Sequence, residues 1–123
     1  MHRIQNDLIV TTIYKICQRA SWSMAEQTGV YAGSEADRRD GFIHFSTAEQ
    51  LAGTAAKHFA RQRDLLLVAV DADALGSALK WEPSRGGDLF PHLYAALPLA
   101  AVRWTRPLPE EVEGERALPE LAP

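Results

Sequence analysis

The chain has 123 residues, 46% of them hydrophobic and 24% charged, with a formal net charge of −3. That length suits one domain able to bury a core without disulfide or metal staples, and the acidic balance argues against nucleic acid as a partner, which normally requires a basic stripe. It contains no run of roughly 18 apolar residues of the kind that spans a bilayer, and the apolar triplet at residues 8–10 is too short for a signal-peptide core. A cytoplasmic location without membrane contact is therefore expected.

In chain order, residues 1–10 read as a short extension. TTIYKIC, residues 11–17, is rich in β-branched and aromatic side chains and predicts a strand. Tyr14 and Ile16 then share one face, and Ile13, Lys15 and Cys17 the other. Cys17, the lone cysteine, reads as a small core hydrophobe. Ser21 sits where an N-cap belongs, ahead of a short helix stopped by Gly29. Residues 33–41 show no periodicity and are expected to form a surface loop. A short strand over residues 42–45 follows. Ser46 and Thr47, with Glu49 and Gln50 each three residues on, predict a capped helix that presents Leu51, Ala55 and Phe59 to the core and ends near Arg61.

Residues 65–70 are apolar on both faces, the pattern of a central strand. Asp71 is expected to cap a turn of helix closed by Gly76, before a strand over 79–82, a flexible turn over 83–88 and an extended segment over 89–94. AVRWTR, residues 101–106, alternates as a half-exposed edge strand would. Residues 108–123 are rich in Pro and Glu and are expected to be a disordered tail. Runs of strands with two main helices predict an α+β domain over 11–107, built on a small mixed, strongly bent β-sheet.

Two segments carry polar side chains inside apolar runs. In DGFIHFST, residues 40–47, His44 and Ser46 share a strand face. They are either a hydrogen-bonded core histidine beside a helix cap, or part of an anion-friendly corner at a strand end and helix N-terminus. In residues 81–94, Glu82 precedes the turn PSRGG, and His92 and Tyr94 fall on one face of an extended segment, a wall suited to a nucleoside. Glu82 could equally be a strand-end carboxylate paired with Lys80 or Arg85, and His92 and Tyr94 core residues. The scattered basic residues, Arg85 among them, read as solvated charges, although an Arg beside a pocket can hold a phosphate. His44, His58, His92 and Glu82 lack any metal-binding spacing, so no metal is expected. No GxSxG elbow, P-loop or Rossmann glycine pattern is present.

The succession TTIYKI, SWSMAEQTGVYAG, DGFIHFSTAEQ, DLLLVAVDADALG, LKWEPSRGGDLFPHLY and PLAAV resembles the family called domain of unknown function 952, over about residues 11–107. That family is grouped distantly with the ADP-ribosyltransferase-like superfamily. The resemblance implies an ADP-ribosyltransferase-like fold and a pocket that binds or consumes NAD or a related nucleotide. It puts Lys15 at the first pocket position and the His44 and Ser46 pair at the second, with Glu82, His92 and Tyr94 competing for the third. Lys15 departs from the planar side chain usual there, and Ala95 stands where the family commonly has Gly. The implied catalytic residues are Glu82, His92 and His44, and the implied NAD-binding residues are Lys15, His44, Ser46 and Tyr94. Glu82 is the candidate to stabilise an oxocarbenium-like ribose. A non-catalytic nucleotide- or anion-binding module and a ligand-free structural domain are the alternatives, because sites rather than folds define chemistry.

Overall fold

The computed structural model describes residues 11–121; the expected N-terminal extension, residues 1–10, lies outside them. The organising element is the run that is apolar on both faces. β1 (Thr12–Gln18) pairs antiparallel with β4 (Leu65–Asp71), which pairs antiparallel on its other edge with β8 (Val102–Pro107). β4 is central, and the alternation of its side chains divides the core in two. Leu66, Val68 and Val70 join Ile13 and Cys17 of β1 under α1 (Arg19–Thr28), against its Trp22 and Ala25. Leu65, Leu67 and Ala69 join Tyr14 and Ile16 on the opposite face, beneath Leu51 and Ala55 of α3 (Leu51–His58).

A two-residue pair, β2 (Val30–Tyr31) with β7 (Leu97–Pro98), lies beside α1. A second three-stranded sheet has the order β3 (Ile43–His44), β6 (Leu89–Leu93), β5 (Leu79–Pro83). The two larger sheets meet at residues 43–46. Phe45 donates its N–H to the Pro91 carbonyl at 3.0 Å, and Ser46 exchanges backbone hydrogen bonds of 2.8 and 2.9 Å with Tyr14. His44 and Ser46 therefore sit at a junction, on a segment that leaves one sheet and joins the other.

The α+β reading holds, but the sheet is not mixed. Every strand pairing among the described residues is antiparallel, and they form three small sheets rather than one. Only β5 and β6 form a hairpin closed by a short turn; the other antiparallel pairs join strands far apart in the chain. α1 starts at Arg19 directly after β1, with no side-chain cap, so Ser21 is in its first turn rather than at its N-cap. The expected loop over 33–41 contains a helix, α2 (Glu35–Asp40). Ser34 and Asp37 form a reciprocal capping box at its start, and Gly41 closes it in the left-handed region.

The tail also differs from expectation. Residues 108–121 pack on the second core: Leu108 is buried, its N–H bonds to the Leu65 carbonyl, and Leu118 and Leu121 lie against the same cluster. Arg116 donates to the carbonyls of Pro109, Phe59 and Gln62. The eight-residue α3 cannot cover that whole sheet face, and spaced leucines within a Pro- and Glu-rich stretch complete it. No helix among the described residues is long and apolar enough to cross a membrane.

Candidate functional site

The antiparallel register of the smaller sheet gathers the polar side chains. His44 of β3 is directly opposite His92 of β6, and Glu82 of β5 is opposite Phe90, two residues from His92 on the same face. The ring of Phe42 stacks on His92 with centroids 4.1 Å apart and also touches His44 and Tyr94, at 4.5 and 5.2 Å. His92 is buried, and its Nδ1 lies 2.8 Å from Oε1 of Glu82. The Tyr94 hydroxyl donates to the same oxygen at 2.8 Å. The bonds from His92 and then Tyr94 hold the Glu82 carboxyl below its ordinary range, and that same bond to Glu82 pushes the Tyr94 phenol up.

Beside this group lies a buried ion pair. Asp37, projecting from α2, is 2% exposed, and its carboxylate accepts from Lys15 Nζ at 2.8 and 3.0 Å. It also accepts from the Ser34 N–H at 2.8 Å and the His44 backbone N–H at 3.2 Å, and lies 2.7 Å from His44 Nδ1. Burial alone would raise the Asp37 carboxyl, but the bonds from His44 and Lys15, with that from Ser34, outweigh it and hold the group well below the usual carboxylate range. The other ring nitrogen of His44 is 3.0 Å from Asp40. Both ring nitrogens of His44 therefore face a carboxylate at hydrogen-bond distance.

Lys15, His44, Ser46 and His92 all line one cavity of about 510 Å³, which runs between α2, α3 and the loop after β5. Its far wall is Thr54, His58, Arg85 and Phe90. Ser46 Oγ and Thr54 Oγ1 are 2.8 Å apart, and the Arg85 guanidinium lies 4.9 Å above the Phe90 ring, with Nη2 3.5 Å from Thr54 Oγ1. Gly53 of α3 makes room for it: a Cβ there would stand 3.1 Å from that nitrogen. Partial desolvation, and then the Arg85 charge, lower the His58 pKa.

The structure thus brings four of the six candidate residues to one concave surface and leaves two off it. Glu82 and Tyr94 do not line the cavity; Glu82 reaches it only through His92. Lys15 lines the cavity, but its charge is spent on Asp37. The anion-friendly helix corner is not formed either. Thr47 and Gln50 satisfy each other's N–H groups through their side chains, the Leu51 N–H bonds to Ala48, and α3 begins only at Leu51. Sequence reasoning missed Asp37, whose signal was the S-x-x-D pattern of Ser34 and Asp37 within a segment read as loop. It also read Arg85 as a solvated charge, although the glycine inside the helical pattern at Gly53 pointed to a close neighbour. Cys17 is buried and its thiol is pushed up to about 11, chiefly by desolvation, as suits a core residue. Among the described residues no cluster of three or more His, Cys, Asp or Glu is arranged to hold a metal ion.

Among curated proteins, none matches the chain. It is similar to solved structures of protein CC0527 from Caulobacter crescentus. The crystal structure is 48% identical and aligns over 87% of this chain and 94% of that one, with a TM-score of 0.84. The solution NMR structure, also 48% identical, aligns over 84% of this chain and 89% of that one, with a TM-score of 0.75. Residues 16–105, which carry β1 from Ile16 onward, His44, His58, His92 and Arg85, match the family described as "Protein of unknown function (DUF952)", and the chain belongs to that family.

Proposed function

We propose that the cavity binds a phosphate-bearing nucleotide, with NAD and ADP-ribose the first candidates, and that the chain is an ADP-ribosyltransferase-like domain serving as their binding site. The observation that carries this reading is Arg85. Of the three basic residues on the cavity wall, Lys15 pairs with Asp37 and Arg39 with Asp40, while Arg85 has no carboxylate within ion-pair distance among the described residues. A planar guanidinium beside the hydroxyls of Ser46 and Thr54 is the donor set that phosphate recognition uses. The volume falls within the ~300–1,000 Å³ usual for small-molecule sites. Phe90 and the imidazoles supply flat surfaces for a base or nicotinamide ring.

Cleavage of NAD asks for a carboxylate beside the ribose. Glu82 is committed to His92 and Tyr94 and stands behind the cavity wall, which favours binding over ADP-ribosyl transfer. Calorimetry with NAD and ADP-ribose, run beside a nicotinamide-release assay, tests both points. Saturable heat that Arg85→Ala abolishes, without nicotinamide release, is the expected result. Release of nicotinamide restores the transferase reading, and absence of binding by either nucleotide overturns the proposal.

A further inference from the structure

His92 has the makings of a proton-transfer group. Its Nδ1 is held at 2.8 Å by Glu82, which Tyr94 holds in turn, and its ring is fixed from one side by Phe42. A carboxylate at Nδ1 sets the tautomer with the proton there, leaving Nε2 as an acceptor. Nε2 has no hydrogen-bond partner among the described residues and is not sealed in the core, and His92 lines the cavity that Arg85 faces. His44, by contrast, has both nitrogens occupied by carboxylates.

We propose that this cavity is an acid–base site for hydrolysis of a nucleotide phosphodiester, with His92 as general base, Glu82 as its positioning residue and Arg85 as the anchor for the phosphate. The inference rests on the nucleotide-binding reading and deepens it by naming a reaction. The charge balance favours a singly charged phosphorus centre: one unpaired guanidinium, among carboxylates already present, matches the single negative charge on a diester phosphorus, or on each phosphorus of a dinucleotide's pyrophosphate, better than the dianion of a monoester. In the step, His92 Nε2 takes one proton from a water molecule whose oxygen forms a new bond to phosphorus. The bond from phosphorus to the leaving oxygen breaks, and that oxygen departs with the electron pair and takes a proton from solvent where its basicity requires one. The imidazolium then returns its proton to solvent. The groups around His92 that shape its response to pH are Glu82 and Lys80 from β5, Tyr94 after β6, His44 from β3, and Arg85 and His58 across the cavity.

The test uses the full chain with bis(p-nitrophenyl) phosphate and, in parallel, p-nitrophenyl phosphate. The expected result is nitrophenolate release from the diester in preference to the monoester, on a limb that rises with pH. His92→Ala should lower the rate on the order of 10²-fold or more, the usual worth of a general base. Glu82→Gln should lower kcat more than it changes KM and should displace the pH limb, with partial recovery in Glu82→Asp; a merely structural role would not move the limb. Arg85→Ala should act mainly on KM. Thermal melts of each variant separate loss of fold from loss of chemistry. No release by a wild-type protein that still binds NAD or ADP-ribose by calorimetry overturns the hydrolytic proposal and leaves the binding reading standing. Release that is unchanged in both His92→Ala and His92→Gln overturns the assignment of the base.

Discussion

The Nζ of Lys15 lies 2.8 Å from the carboxylate of Asp37, and both groups are almost wholly buried. This pair, rather than an open cation, is what β1 contributes to the cavity. Its consequence is that, among the described residues, the free positive charge of the site sits elsewhere, on Arg85, and that removing Asp37 leaves the buried Lys15 ammonium unpaired.

Asp37→Asn should therefore destabilise the fold by about 3–5 kcal/mol, the cost of leaving one member of a buried ion pair unmatched. Lys15→Met in the same background should recover part of that loss, since the uncompensated ammonium is then gone. Urea denaturation of the two single variants and the double variant measures the coupling, and additive losses would show that the pair is not the unit described.

The same carboxylate makes an acid-stability prediction. Its folded pKa is depressed from the usual 3.8, so its contribution is complete above that value and is lost as pH falls below it toward the folded pKa. Denaturation midpoints followed from pH 6 to pH 2 should fall below about pH 4 in the wild type. Asp37→Asn should show a shallower fall.

Gly33→Ala should damage the site through the backbone. Gly33 has φ +105°, a region that alanine disfavours, and a Cβ there would stand 2.9 Å from the Cβ of Asp37. A loss of more than about 1 kcal/mol is expected, measured by thermal melt, together with weaker nucleotide binding in calorimetry.

Gly53→Ala should do the opposite to stability. Alanine favours the helix interior by about 0.8–1 kcal/mol over glycine, and the new methyl meets only the flexible end of Arg85. The melting temperature should hold or rise while nucleotide affinity falls several-fold. A stabilised variant with unchanged affinity would remove Arg85 from the binding site.

Leu108→Ala should cost about 2–5 kcal/mol, as for a buried leucine elsewhere, because Leu108 is 3% exposed and closes the second core. Arg116→Ala should also destabilise, since it frees the carbonyls at the end of α3. Proteolysis within residues 109–121 should accelerate in both variants, and an unchanged melting temperature in Leu108→Ala would show that the segment adds nothing to the core.

How much of this was legible differs by residue. TTIYKIC and DLLLVAV announced their strands and the division of faces, because an alternating or doubly apolar run has few other ways to bury itself. His44 with Ser46, and His92 with Tyr94, were readable as two polar faces, since polar residues inside such runs must meet partners or a ligand, and the β3 to β6 pairing is what sets His44 opposite His92. Asp37 was not. Its neighbours carry no periodic apolar signal, and the S-x-x-D pattern of Ser34 and Asp37 marks a helix start without showing that the carboxylate is buried. Glu82 was expected in the pocket, but β5 to β6 pairing turns it toward His92, behind the cavity wall.

By itself the sequence determined the family, the α+β character, the central strand and the three polar side chains that the β-strand period of two places on cavity-facing sides. Tertiary structure alone decided which charges remain available there. Lys15 and Asp37 are 22 residues apart, and Thr54 and Arg85 are 31 apart. Strand periodicity is a property of adjacent residues, whereas the neutralisation of one cation and the freedom of another depend on which distant groups the packed sheets bring within hydrogen-bonding distance.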